Sequence, residues 1–248
     1  MRKAEFCFIV LTRGYSWKKK YKYLRLIQRN RAIYRLIKDR NENFDHTIFH
    51  EGNLSFLDIL GIRFFSFPMR IKFVNVKDNF QLGKKHVWSG ESKESLGYSL
   101  MCRFQYYGIW KLVRNYKKII RVDEDCILES LPLNMDEINF AVGLLSPETH
   151  SQTNNSLIRK LAEMNLEGFY DHRFPYTNVY IADVQIWNNP RVQGFLKWIA
   201  DDPFSLEHRW GDLPVLGVAA KAFSIWDNTE DVRTDLKYFH GSHNIRVN

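Results

Sequence analysis

The run Lys117-Lys118-Ile119-Ile120-Arg121-Val122 is β-forming and stops on three consecutive carboxylates, Asp123, Glu124 and Asp125. Adjacent acids repel, so a buried strand that ends on them calls for a compensating cation, a bound metal or strong hydrogen bonds. In an extended segment Asp123 and Asp125 share one side while Glu124 points to the other. The Asp-x-Asp pair is then the chemical unit. Its hard oxygen ligands suit Mg²⁺ or Mn²⁺, ions that in enzymes commonly also bind substrate phosphates. The plain alternative is a solvated acidic turn, and the elements around the triplet have to decide.

Alternating strands and helices place those acids. The pattern predicts a strand from Glu5 to Thr12, a turn at Thr12-Arg13-Gly14, a helix, a strand near Phe44 to Phe49 and a short helix around Ser55 to Leu60. A strand at Ile71 to Val76, a polar loop from Lys77 to Gly90 and a long helix from about Ser92 to Asn115 lead into the acidic strand. Beyond it come a strand at Phe140 to Leu145, a Ser/Thr/Asn-rich loop from Ser146 to Ser156 with the character of a flap, and a helix to about Asn165. Tyr176 to Trp187 reads as a strand. Pro190 to Ala200 and Asp212 to Phe223 read as helices with Pro in the first turn. Such alternation favours a mostly parallel, Rossmann-like α/β sheet flanked by helices, with ligands beyond the carboxyl ends of the strands. Asp123, Asp125 and Thr12-Arg13-Gly14 stand at such ends, and Gly14 permits an unusual dihedral or close ligand approach.

Composition narrows the class. The 248 residues are 45% hydrophobic and 15% aromatic, enough for one large α/β domain with a substantial core. No run of about 18 apolar residues is present, so no transmembrane segment is expected. The start, Met1-Arg2-Lys3 followed by Phe6 to Leu11, is too short and strand-like for a secretory signal. Cys7, Cys102 and Cys126 sit in core-like segments without metal-ligand spacing, as free thiols in a reducing compartment do. A cytoplasmic protein is the expectation. Its charge is uneven: residues 18 to 40 hold ten Lys or Arg against the single acid Asp39, a net of +9 in a chain whose total is +8. Tyr23, Leu26, Ile27, Ile33, Tyr34 and Ile37 fall on one helical face there, with most cations opposite. That basic face suits solvent, an anionic membrane touched peripherally, nucleic acid or a phosphate-bearing substrate.

Five blocks carry a resemblance. They are Gly97-Tyr98-Ser99-Leu100-Met101-Cys102-Arg103-Phe104; Arg121 to Asp125; Tyr176-Thr177-Asn178-Val179-Tyr180-Ile181-Ala182-Asp183; Arg209-Trp210-Gly211-Asp212-Leu213-Pro214-Val215 with Ala219-Ala220; and Tyr238-Phe239-His240. In order and approximate spacing they resemble the fungal Golgi α-1,2-mannosyltransferase family. The first 90 residues resemble it only in layout. The resemblance implies a GT-A glycosyltransferase fold spanning 1 to 248 as one domain, residues 1 to 125 binding the nucleotide-sugar and 126 to 248 forming the acceptor-side half and tail. It implies transfer of mannose from GDP-mannose, with retention and Mn²⁺ or Mg²⁺, to a glycan, lipid-linked or protein acceptor. By position, Asp123, Asp125 and His240 would hold the metal, Tyr98 and Arg103 would bind or orient the donor, and Asp212 would shape the acceptor side.

The residue types suit that chemistry. A cation bridging both phosphates stabilises the charge that develops on a departing nucleoside diphosphate. Arg103 and Arg13 can add charge-assisted phosphate bonds, and Asp123 is a candidate for the donor as well as for the metal. Asp212 could be a general base, an acceptor anchor or simply a helix N-cap. Two departures from the family stand out. Tyr180 occupies the place of a glutamate discussed there as nucleophile, leaving Asp183 as the nearest alternative carboxylate, and the triplet is Asp-Glu-Asp where the family has Glu-Pro-Asp. The family's membrane anchor and stem have no counterpart, so an enzyme working without one is expected. A metal-dependent nuclease or phosphoryl transferase would also use clustered acids but leaves the other blocks unexplained. A non-catalytic nucleic-acid-binding or interaction module would rest on residues 18 to 40 alone. The neutral remainder of the chain argues against nucleic acid.

Overall fold

A computed structural model describes residues 4–82, 93–171, 173–226 and 235–247. Its centre is a six-stranded sheet in the order β3-β2-β1-β4-β9-β6. The strands are β1 (Phe6–Thr12), β2 (Phe44–His50), β3 (Lys72–Asn75), β4 (Lys118–Val122), β6 (Phe140–Val142) and β9 (Val179–Asp183). β1, β2, β3 and β4 are parallel, and β9 runs antiparallel between β4 and β6. The expected mostly parallel sheet is thus present, with its order reversing between β1 and β4. That reversal opens a crevice at the carboxyl ends of these two strands. Alternation divides each strand between two cores: Cys7 and Ile9 of β1 pack on one face, Phe6, Phe8 and Val10 on the other.

Helices cover both faces. On one side lie α1 (Tyr23–Ile37), entered through a 3₁₀ turn at Trp17–Lys22, and α2 (Phe56–Phe65). The predicted basic helix therefore begins later than its charge pattern suggests. Leu26 and Ile33 are fully buried as its apolar stripe requires, but so is Arg29, one of the ten cations. The opposite face carries α3 (Lys93–Arg103), a π-helical turn at Phe104–Gly108 and α4 (Ile109–Val113). This is the predicted long helix with a bulge; part of the preceding polar loop and Ser92 lie outside the described residues. α7 (Pro190–Asp201), α8 (Phe204–Glu207) and α9 (Asp212–Ala222) complete that layer, where Trp110 stacks on Trp187 at 4.9 Å. A small sheet, β11-β10-β5, joins β5 (Cys126–Leu128) to β10 (Tyr238–His240) and β11 (Ile245–Val247). Among the described residues no helix is long and apolar enough to cross a membrane.

Two expectations fail for local reasons. The Ser146-to-Ser156 segment is mostly not a loop. Ser146 belongs to β7 (Leu145–Ser146), paired with β8 (Phe174–Pro175), and α5 (Ser151–Ala162) starts as soon as the His150 side chain accepts the Thr153 amide. Ser, Thr and Asn near a helix start serve the caps that their abundance makes resemble a loop. Likewise the strand predicted through Trp187 stops at Asp183, whose carboxylate accepts from the Gln185 and Ile186 amides and opens the short helix α6 (Val184–Trp187).

Candidate active site

The acids sit in a turn. β4 ends at Val122, and a Cys126 amide to Asp123 carbonyl bond of 3.1 Å closes a tight reversal into β5. The extended geometry expected for the triplet is therefore absent, yet its sidedness survives. Asp123 and Asp125 line a cavity of about 630 Å³, while Glu124 turns back to accept hydrogen bonds from the Thr12 and Tyr15 hydroxyls. Thr12 thus reaches the triplet through Glu124. Gly14 is required by its neighbour: an added Cβ would stand 2.0 Å from the Asn53 carbonyl oxygen, and its amide donates to the Asn53 side chain. Neither Arg13 nor Gly14 is among the cavity's lining residues.

Arg121 organises the floor. Its guanidinium grips Asp123 with both prongs, Nε to Oδ1 at 2.8 Å and Nη2 to Oδ2 at 3.1 Å, and gives Nη1 to Asp212. Burial alone would lower the Arg121 pKa, but Asp123 and Asp212 drive it well above the ordinary value. A fixed cation with two bound carboxylates results. Asp212 stands in the first turn of α9, where Gly211 takes the N-cap position without a side-chain cap, so its carboxylate serves Arg121 and the cavity. Across the antiparallel pair β4–β9, Tyr180 is opposite Arg121 and presents its ring 5.8 Å from the guanidinium carbon. The tyrosine is fully buried, and burial pushes its hydroxyl pKa up.

The other wall comes from the small sheet. β10 pairs with β5 so that His240 lies opposite Cys126, which buries the imidazole and brings Nε2 to 3.3 Å from an Asp125 oxygen. Nδ1 meets the Tyr176 hydroxyl at 3.1 Å and Nε2 the Asn178 side-chain amide at 3.2 Å. Burial works to raise the Asp125 pKa, but hydrogen bonds from His240 and Ser242 outweigh it and bring it down to about 2. Asp125, Cys126 and His240 hold ligand atoms within 4.8 Å of one another. Burial pushes the Cys126 thiol up, so it keeps its proton and adds no thiolate. What remains is one carboxylate and one imidazole beside the Arg121-bound Asp123. With Nδ1 accepting from the Tyr176 hydroxyl, Nε2 carries the proton and gives it to Asp125, so imidazole and carboxylate converge on one proton whose place a cation can take. A divalent cation fits this arrangement, and oxygen-rich, thiolate-free surroundings suit Mg²⁺ or Mn²⁺.

Other candidates separate. Tyr98 lines the cavity beneath the Arg209 guanidinium, 4.6 Å from its ring centre. Arg103, one turn further along α3, instead lines a different cleft with Asp78, Asn79 and Tyr107. Asp183 is at the far end of β9, opposite Lys118 and ion-paired with it at 2.8 Å, four residues of β4 away from the acid turn. Sequence reasoning missed Arg121, Arg209 and Glu148. Arg209 takes a positive φ of 53° that sets its side chain over Tyr98. Glu148 lines the cavity from the short 147–150 connection, its Oε1 accepting the His150 amide and its Oε2 lying toward Gly211. Their signals were present in the Arg121 and Arg209 blocks; Glu148 had none.

No family model and no curated protein sequence matches the chain. Solved structures do. The mannosyltransferase Ktr4p from S. cerevisiae in complex with GDP superposes with a TM-score of 0.71 at 13% identity, covering 96% of this chain and 71% of that one. Core-mannan synthase A (CmsA/Ktr4) from Aspergillus fumigatus in its Mn/GDP form gives 0.74 at 13% identity, with 96% and 75% covered. Mouse xyloside xylosyltransferase 1 gives 0.55 at 11% identity, with 88% and 82% covered. The chain therefore has the mixed α/β GT-A fold of these glycosyltransferases.

Proposed function

We propose that the protein is a metal-dependent glycosyltransferase that moves a sugar, mannose from GDP-mannose as the first donor to test, onto a glycan, lipid-linked or protein acceptor. The observation that carries this reading is the Asp125–His240 pair opening, with Asp123, Arg121 and Asp212, into one cavity at the strand-order reversal of a GT-A sheet. Asp125 and His240 Nε2 would hold Mn²⁺ or Mg²⁺. When bound, that ion would offset the negative charge developing on the departing diphosphate.

The chain's own groups do the rest. Arg209 offers a guanidinium to the donor phosphates, a role that Arg103 and Arg13 are poorly placed to fill, and Tyr98 keeps that guanidinium in position. Asp212 and Glu148 line the same cavity, where an acceptor hydroxyl needs a carboxylate to orient it and accept its proton. Tyr180 contributes a buried wall under Arg121 and no nucleophile. With no carboxylate at that place, retention would proceed by attack on the face from which the diphosphate leaves.

A panel of GDP-, UDP- and dTDP-sugars with Mn²⁺ tests the reading through calorimetric binding and release of free nucleotide. Metal-dependent binding of one nucleotide class is expected, abolished in Asp125→Ala with the circular dichroism spectrum preserved. Absence of metal-dependent binding to every nucleotide refutes the proposal, and full turnover in Asp125→Ala refutes the placement of the metal. The anomeric configuration of the product, read by NMR, decides between retention and inversion.

A further inference from the structure

The helix α2 is turned inside out for a globular protein. Its ten residues bury only Asp58 and Ile62, while Phe56, Leu57 and Phe64 are each more than 70% exposed. At 100° per residue Phe56, Leu60, Phe64 and Leu57 fall within one arc of about 100°, opposite the two buried residues. Phe67, just beyond the helix, is 79% exposed, and Trp17, Tyr21 and Leu24 on the neighbouring segment are exposed as well. Scattered apolar side chains are ordinary on a surface, but a ridge of this length is not.

Charge surrounds the ridge. Lys20 ion-pairs with Asp58 at 2.8 Å, and Arg31 Nε donates to the Phe65 carbonyl at 2.8 Å, so α1 and α2 form one surface. Lys18, Lys19, Arg31, Arg35 and Lys38 are exposed along it. Phe67 and Ser66 share a surface hollow with Arg31, Arg35 and Lys38. Aromatic and aliphatic side chains on a helix, bordered by Lys and Arg with Trp and Tyr among them, match the interface of an anionic bilayer: apolar groups enter the acyl boundary and cations meet the headgroups.

We propose that α2 and the basic segment through α1 dock the protein peripherally on an anionic lipid bilayer, with Phe56, Leu57, Leu60, Phe64 and Phe67 inserted. A second copy of the chain is the weaker occupant, because a two-fold contact through this face would bring two strongly basic surfaces together. The docking does not depend on the proposed activity. α1 and α2 follow the carboxyl ends of β1 and β2, so Trp17, Phe56 and Leu57 stand at the same edge of the sheet as the acid turn.

Flotation with phosphatidylcholine vesicles, with and without phosphatidylserine, tests this on the whole chain. The protein should float with the anionic vesicles. A triple Phe56→Ser, Leu57→Ser, Phe64→Ser variant should lose at least about tenfold in vesicle affinity at an unchanged thermal midpoint, since none of the three is in the core. Lys18→Glu with Lys19→Glu should lose it too. The inference is overturned if the wild type does not float with anionic vesicles, or if the triple variant floats equally well. It is also overturned if light scattering finds a wild-type dimer that the triple variant dissolves, which would assign the face to a second copy.

Discussion

Arg121→Met asks whether one buried guanidinium holds the site together. The wild-type cation is within hydrogen-bonding distance of three carboxylate oxygens, two on Asp123 and one on Asp212, and its side chain is 5% exposed. Methionine fills similar volume and removes the charge, which leaves Asp212, 8% exposed at its side chain, and the more accessible Asp123 with no cation between them. Stripping one partner from a buried ion pair costs about 3–5 kcal/mol. At roughly 2–4 °C per kcal/mol for a domain of this size, the thermal midpoint should fall by about 6–20 °C. The pH dependence gives a second reading. Unpaired buried carboxylates have raised folded pKa values, so the variant regains stability as pH falls and protons bind preferentially to the folded form. Thermal melts at neutral and mildly acidic pH should show the gap to wild type closing, and adding Asp212→Asn to Arg121→Met should restore part of the loss at neutral pH. A variant melting within about 1 °C of wild type at neutral pH would refute the account, because a pair coupled this tightly cannot be removed at so little cost.

Arg29→Met should lower stability by about 2–4 kcal/mol in urea unfolding, since two buried carbonyls, Ile9 and Val122, lose their donor. Tyr180→Phe should leave turnover within about twofold of wild type once a donor is identified, as the hydroxyl is buried away from the cavity lining; a loss of more than about 100-fold would return the residue to the chemistry. Asp125 gives an acid signature in the metal-free protein. Its folded pKa of about 2 is below the unfolded 3.8, so its contribution is complete above 3.8 and lost as pH falls through that window. Melts across it should show wild type losing stability relative to Asp125→Asn.

Much of this arrangement could be read before any coordinates. Strand periodicity placed β1, β2 and β4 and the carboxyl-end location of the acids, because two-residue alternation and parallel crossovers are strong local signals. Asp125 and His240 were found through residue type and the resemblance together; nothing local predicted that β10 would pair with β5 and bury the imidazole. Arg121 and Arg29 escaped because an arginine in a strand or on a basic helix is ordinarily a solvated charge, and only tertiary packing reveals that both guanidiniums are inside. Glu148 escaped because its segment was read as a loose loop. The cap that starts α5 and the bonds of Glu148 to His150 and Asn154 are short-range, but a polar composition alone does not tell a capped helix start from a loop.

Arg29 has a mechanical consequence. From the inner side of α1 it holds the Ile9 carbonyl of β1 and, at 2.7 Å, the Val122 carbonyl of β4, the peptide group that leads into Asp123. The guanidinium works as a rivet through helix and two strands. A displacement of α1 relative to the sheet must either break charge-assisted bonds in a dry interior or drag the acid turn with it. The basic helix beside the proposed docking ridge is thereby tied to the loop that would grip the diphosphate, and load applied to the outside of α1 is delivered one residue short of the first carboxylate.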